Sequence, residues 1–168
     1  KTVVKEWLYQ LLSPSYHIVR SPRSYNSQIG VPLSVWKMNA THELAIFEAG
    51  ISTTHEMEHI APVIKPTIGV LTHMGHAHAE GFSGMQQKVQ EKLRLFETVD
   101  TIIYGKDVLN EGVDIEADAS IFNRPITFYS WSRKAPATLV ITSEINTRNF
   151  TELHLLVAGQ THLVQLPF

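Results

Sequence analysis

Apolar positions recur along this chain first at helical and later at extended spacing. Val4, Leu8 and Leu11 follow the helical repeat, so residues 2–12 predict an amphipathic helix that Ser13-Pro14-Ser15 ends. Residues 17–20 predict a short strand. A polar, turn-rich stretch follows it, and Ile29-Gly30-Val31-Pro32-Leu33 marks where a second helix starts. Residues 43–50, ELAIFEAG, predict a buried strand with Glu48 near its carboxyl end. Met57, Ile60, Ala61 and Ile64 return to helical spacing, and Pro66 stops that helix. Ile68, Val70 and Leu71 form a short apolar run, as expected for a strand covered on both faces, and polar residues begin at Thr72. Ser83 and Gln86 have capping-box spacing, so a helix is expected from near Gly84, burying Met85, Val89, Leu93 and Phe96 on one face.

Residues 101–104 predict a further strand, and the strand-helix alternation up to that point argues a parallel sheet with right-handed crossovers. From about Ile126 the rhythm changes. ITFYS, ATLVITS, ELHLLVA and THLVQL read as strands without intervening helices, the last two joined by a turn at Gly159. The expected fold is therefore α/β, a mostly parallel sheet flanked by helices over residues 1–122, with a small antiparallel β subdomain over residues 123–168.

At 168 residues the chain fits one domain and can bury a proper core. Its formal charge of -2 gives no case for non-specific binding to nucleic acid or an anionic membrane, so any anion must be met locally. The absence of cysteine fits a reducing cytoplasm, and no apolar run is long enough to span a bilayer.

Chemistry concentrates in residues 67–96. Three histidines, His73, His76 and His78, follow the predicted strand in HMGHAHAEG. Alternate residues of an extended segment share a side, so His76 and His78 could hold zinc; the competing readings are a plain polar loop and a single histidine assisting a hard cation. Lys92 lies seven residues after Met85, on the edge of the buried helix face, where an ammonium needs a partner, a chemical change or a path to water. Glu48 at a strand end could bind a cation or merely solvate that end. Arg20 and Arg23 could attract an anionic substrate or sit in a solvated loop. Lys1-Thr2 is the pair that closes a glycine-rich phosphate loop, whose lysine meets phosphate and whose hydroxyl meets magnesium, but two residues alone carry no specificity.

Taken together, these motifs resemble the central, ATP-binding domain of the Mur ligases, a P-loop-type fold, and the resemblance covers nearly the whole chain. Asn26-Ser-Gln-Ile-Gly-Val-Pro-Leu33 is similar to the NNxIGVPL segment of the branch that joins D-alanyl-D-alanine to UDP-MurNAc-tripeptide through an acyl phosphate. Lys1-Thr2 resembles the end of the phosphate loop, Glu48 in FEAG the magnesium glutamate, His78 in AHAEGF the histidine of an AHLE motif, and Lys92 the lysine that the family carbamylates. VKEWLYQLL, VRSPRSYNSQIGVPLSVW and EKLRLF resemble the ligase half of Bacteroidetes proteins fused to an alanine racemase.

The resemblance implies ATP and two magnesium sites, with Lys1 on the phosphates, Thr2 and Glu48 on one ion, and His78 with carbamylated Lys92 on the other. It implies nucleotide contacts from His73 and Asp107, muropeptide contacts from Asn26, Arg20 and Arg23, and a cytoplasmic enzyme of peptidoglycan synthesis. His73 stands where asparagine is usual, and Arg94 where an acid is usual. The amino-terminal UDP-binding domain, the carboxyl-terminal domain and the loop glycines would lie outside these residues, so the chain alone is expected to be inactive. A folate-type or earlier Mur ligase, a degenerate nucleotide- or partner-binding domain and a zinc module are the alternatives.

Overall fold

The computed structural model describes residues 1–73, 81–108, 115, 116, 122, 124–134 and 136–167. Helix α1 (Thr2–Leu12) leads into β1 (Ile18–Arg20), then α2 (Gly30–Val35), β2 (Leu44–Ile46) and α3 (Glu56–Ile64). After β3 (Ile68–Leu71) come α4 (Met85–Leu93), its 3-10 extension Arg94–Phe96, and β4 (Thr101–Gly105). Strands β5 (Thr127–Ser132), β6 (Leu139–Asn146), β7 (Phe150–Val157) and β8 (Gln160–Pro167) complete the chain.

β1 and β2 pair in parallel as a separate two-stranded sheet, and the larger sheet runs in the order β3-β4-β5-β6-β7-β8. Its first three pairings are parallel, the last being only Trp131 with Leu139 and Ser132 with Val140, whereas β6-β7 and β7-β8 are antiparallel. Antiparallel pairing thus begins at β6. The expectation that it begins with ITFYS is corrected, because β5 adds alongside β4 in register from Thr101–Thr127 to Gly105–Trp131. Ala158 and Gly159, both at positive φ, form the two-residue turn between β7 and β8, the primed geometry that matches the strand twist.

Two apolar clusters hold the parallel part together. Val89, Leu93 and Phe96 bury the predicted face of α4 against Leu71, Ile102 and Tyr104. Val31, Met57 and Ile60 join α2 to α3, and Leu95 packs against both clusters. Three burial expectations fail. β3 is covered on one face only, with Ile68 57% and Val70 40% exposed, and β2 is a short, partly exposed strand. A short apolar run does not distinguish one covered face from two. Leu11, expected on the buried face of α1, is instead exposed with Val3 and Trp7.

The start of α4 also differs in detail. Gly84 is the N-cap and makes no side-chain bond, so the residue three positions on is Gln87, not Gln86. Gln87 Oε1 reaches back to accept from the Ser83 amide at 2.7 Å and from its hydroxyl at 2.9 Å.

Candidate active site

Glu48 and Thr72-His73 sit just beyond the carboxyl ends of β2 and β3, while Lys1 and Thr2 begin α1. Open α/β sheets bind ligands outside such strand ends. The Thr2 hydroxyl donates to Glu48 Oε2 at 2.8 Å, and the Asn26 amide donates to Glu48 Oε1 at 2.9 Å. Glu48 is only 6% exposed, and its own backbone amide donates to the buried Ser21 hydroxyl at 3.1 Å. A buried carboxylate needs such partners, because desolvation of its charge is costly. Both of its oxygens are therefore directed by neighbours from other segments.

Lys1 Nζ donates to the Ala49 carbonyl at 3.3 Å. A Cβ on Gly50 would lie 3.0 Å from Lys1 Nζ and 3.2 Å from Asn26 Cγ, so the backbone approaches these two side chains closely because position 50 has none. Asn26 is held there by its own carbonyl, which accepts from the Gly50 amide at 2.8 Å. At the first turn of α1 the helix amides have no intrahelical partners, and the positive end of the dipole adds to the Lys1 charge. The donors fit the implied groups: a hydroxyl and a carboxylate suit a hard cation, and the ammonium beside a helix start suits phosphate.

Lys92 enters from α4 and is half-buried, its Nζ donating to the His73 carbonyl at 3.2 Å. Burial, with the like charges of Lys1 and Lys88, lowers its pKa from 10.5 to about 8. Such an amine is partly neutral near physiological pH, and only the neutral form is nucleophilic. Lys1, Thr2, Asn26, Glu48 and Lys92 are thus brought into one region from four segments of the chain.

The side chains of the other expected site residues are exposed or engaged elsewhere. Arg20 pairs with Glu6 at 3.1 Å and stacks its guanidinium 3.5 Å over the Tyr9 ring, so its charge is already matched within the chain. Arg23 is exposed at φ 49° and contributes its carbonyl to Lys5. Asp107 is engaged by the Ser132 hydroxyl at 2.6 Å and the Arg133 amide; although desolvation raises its pKa, these bonds bring it below the usual value. The His73 side chain is exposed. His76 and His78 lie outside the described residues, and among those described no group of three or more His, Cys, Asp or Glu is placed to hold a metal.

The burial of Lys5 did not follow from the sequence: it is 3% exposed and spans from α1 to the carbonyls of Ser21, at 2.7 Å, and Arg23. It pins the segment that carries Asn26. Its signal was a lysine next to Val4 and three residues before Leu8, within the apolar repeat of α1.

Residues 1–168 match the Mur ligase middle domain family. A UDP-N-acetylmuramoyl-tripeptide--D-alanyl-D-alanine ligase from Borreliella burgdorferi is 32% identical over 123 residues, covering 73% of this chain and 26% of the relative. The Treponema pallidum enzyme of the same name is 38% identical over 97 residues, 57% of this chain and 21% of the relative. Crystal structures of MurF from Acinetobacter baumannii, and from Thermotoga maritima in complex with ADP, superpose with TM-scores of 0.81 and 0.79. Each is 19% identical; they match 99% and 98% of this chain against 36% and 37% of their own. This likeness establishes the mixed α/β fold with its small antiparallel C-terminal sheet. The chain spans about a quarter of the length of the curated relatives it matches. Among the described residues, no helix is long and apolar enough to cross a membrane.

Proposed function

The chain belongs to the Mur ligase middle-domain family, and from that membership we propose that it handles ATP within a larger cytoplasmic ligase of peptidoglycan synthesis. The reaction proposed is the joining of D-alanyl-D-alanine to UDP-MurNAc-tripeptide. The observation that carries this reading is the Thr2 hydroxyl 2.8 Å from Glu48, with Asn26 on the other carboxylate oxygen and Lys1 alongside. These residues belong to motifs that lie far apart in sequence, and their donor types match a site for a cation and a phosphate.

Magnesium would supply Lewis-acid neutralisation of phosphate charge, and Thr2 and Glu48 are the described residues that would hold it. Lys1 would neutralise the β/γ-phosphates as the tripeptide carboxylate takes the phosphoryl group and becomes an acyl phosphate. The dipeptide amine then attacks the acyl carbon, and phosphate leaves. Positioning and electrostatics supply most of the rate in such transfers.

Lys92 is assigned as the carbamylated residue. Its neutral amine nitrogen attacks the carbon of carbon dioxide and loses a proton, leaving an N-carboxylate anion; a pKa near 8 keeps that amine available. The anion would resolve the crowding of Lys92 with Lys1 and Lys88 by inverting one of three like charges. With His78 it is assigned to the second magnesium. His73 and Asp107 remain candidates for the nucleotide, and Arg20 and Arg23 for the muropeptide, with Asn26. The flanking domains, the phosphate-loop glycines and an alanine racemase fused to the parent polypeptide complete the reading.

The test is the magnesium dependence of ligation by the full-length parent. Thr2→Val and Glu48→Gln should each raise the magnesium concentration needed for half-maximal rate. Unchanged dependence in both variants would remove Thr2 and Glu48 from the ion.

A further inference from the structure

Lys92 reaches the site only if α4 keeps one rotation about its axis, because each residue turns the helix by about 100°. On one side Val89 and Leu93, 1% and 0% exposed, set that rotation by packing against the large sheet. On the other side stands an ionic arrangement that packing does not explain. Glu91, immediately before Lys92, is only 4% exposed, and its Oε1 accepts from the Met57 amide at 3.1 Å. Met57 is the second residue of α3, so a carboxylate from α4 caps the start of α3, where the helix dipole favours negative charge.

Arg94 closes the arrangement. Its Nε lies 3.5 Å from Glu91 Oε2, and its Nη1 binds Glu58 of α3. One guanidinium therefore bridges the two helices, a geometry a single lysine ammonium would not reproduce. Glu58 is further tied to His55 Nδ1 at 3.2 Å.

We propose that Arg94 is a positioning residue, which by bridging Glu58 to Glu91 locks α4 against α3 and thereby directs Lys92 into the site. The inference rests on the reading of Lys92 given above. It assigns a role to the arginine that stands where the family resemblance expects an acid, and it adds Glu58 and Glu91 as the partners through which that role is exerted.

The test uses the full-length parent and measures kcat, KM for ATP and thermal midpoint for Arg94→Ala, Glu58→Gln and the double variant. Loss of a supporting residue behind a metal ligand typically costs about 10- to 100-fold in activity. The expected result is a kcat loss of that order in Arg94→Ala, a similar loss in Glu58→Gln, and no further loss in the double variant, with KM for ATP unchanged. Non-additivity marks residues that act through one contact. A purely structural role would instead lower the thermal midpoint and leave kcat per folded molecule intact, which would overturn the proposal. Additive losses would overturn it as well. An inactive wild-type parent would refute the reading of the site itself, whereas an active parent with full kcat in Arg94→Ala would refute the clamp alone.

Discussion

Replacing Lys92 with methionine should stabilise the chain at neutral pH. Burial and the neighbouring Lys1 and Lys88 charges lower the Lys92 pKa from 10.5 to about 8. A fall of that size corresponds to about 3 kcal/mol of penalty carried by the folded state while the lysine is protonated. Solvent screening at the open side of this half-buried group reduces it to about 2 kcal/mol. Methionine keeps most of the aliphatic stem and loses the hydrogen bond to the His73 carbonyl, worth about 1 kcal/mol, so the net gain expected is about 1 kcal/mol. The pH dependence is the sharper signature. Between about 8 and 10.5 the unfolded chain holds more protons than the folded one, so wild-type stability rises with pH across that window. The Lys92→Met variant lacks this contribution. Urea unfolding in carbon-dioxide-free buffer at steps from neutral to alkaline pH reads both quantities. A variant no more stable than wild type at neutral pH, with an unchanged slope above pH 8, would refute the reasoning.

Three further outcomes follow from the packing and the site. Gly69→Ala should cost about 1–3 kcal/mol in urea unfolding, because its Cβ would sit 2.6 Å from Phe96 Cδ1, whereas Gly84→Ala meets nothing within 4 Å and should be near neutral. Leu93→Ala, at a fully buried position in the larger cluster, should cost about 2–5 kcal/mol by the same measurement. Calorimetric titration of these 168 residues with magnesium-ATP should find affinity weaker than micromolar, since the phosphate-loop glycines and flanking domains that the reading requires are not among them.

How much of this was legible in the sequence depended on how local the signal was. α1 and β3 have the expected bounds, and α4 buries the expected face, because helical spacing and a Gly84 start are local properties. Pairing partners are not local. ITFYS reads as a strand whichever neighbour it joins, so its parallel docking on β4 could not be read from its own residues. The same limit hid the second face of β3. At the site, Glu48 and Lys92 were singled out because charged residues beside apolar runs require an explanation, and the structure supplies partners for both. The buried bonds of Lys5 and the Glu58–Arg94–Glu91 bridge were not legible. Their partners come from other segments, and an i,i+3 acid-base pair such as Glu91 and Arg94 ordinarily signals an exposed helix face.

ATP-dependent phosphate release decides whether this site serves the proposed ligation, measured on the full-length parent supplied with UDP-MurNAc-tripeptide, with D-alanyl-D-alanine, or with both, in wild type and in Lys92→Ala and His78→Ala. Sustained release is expected only when both substrates are present, collapsing in the two variants. No release with this pair, or release that survives the loss of Lys92, would contradict that role for the site.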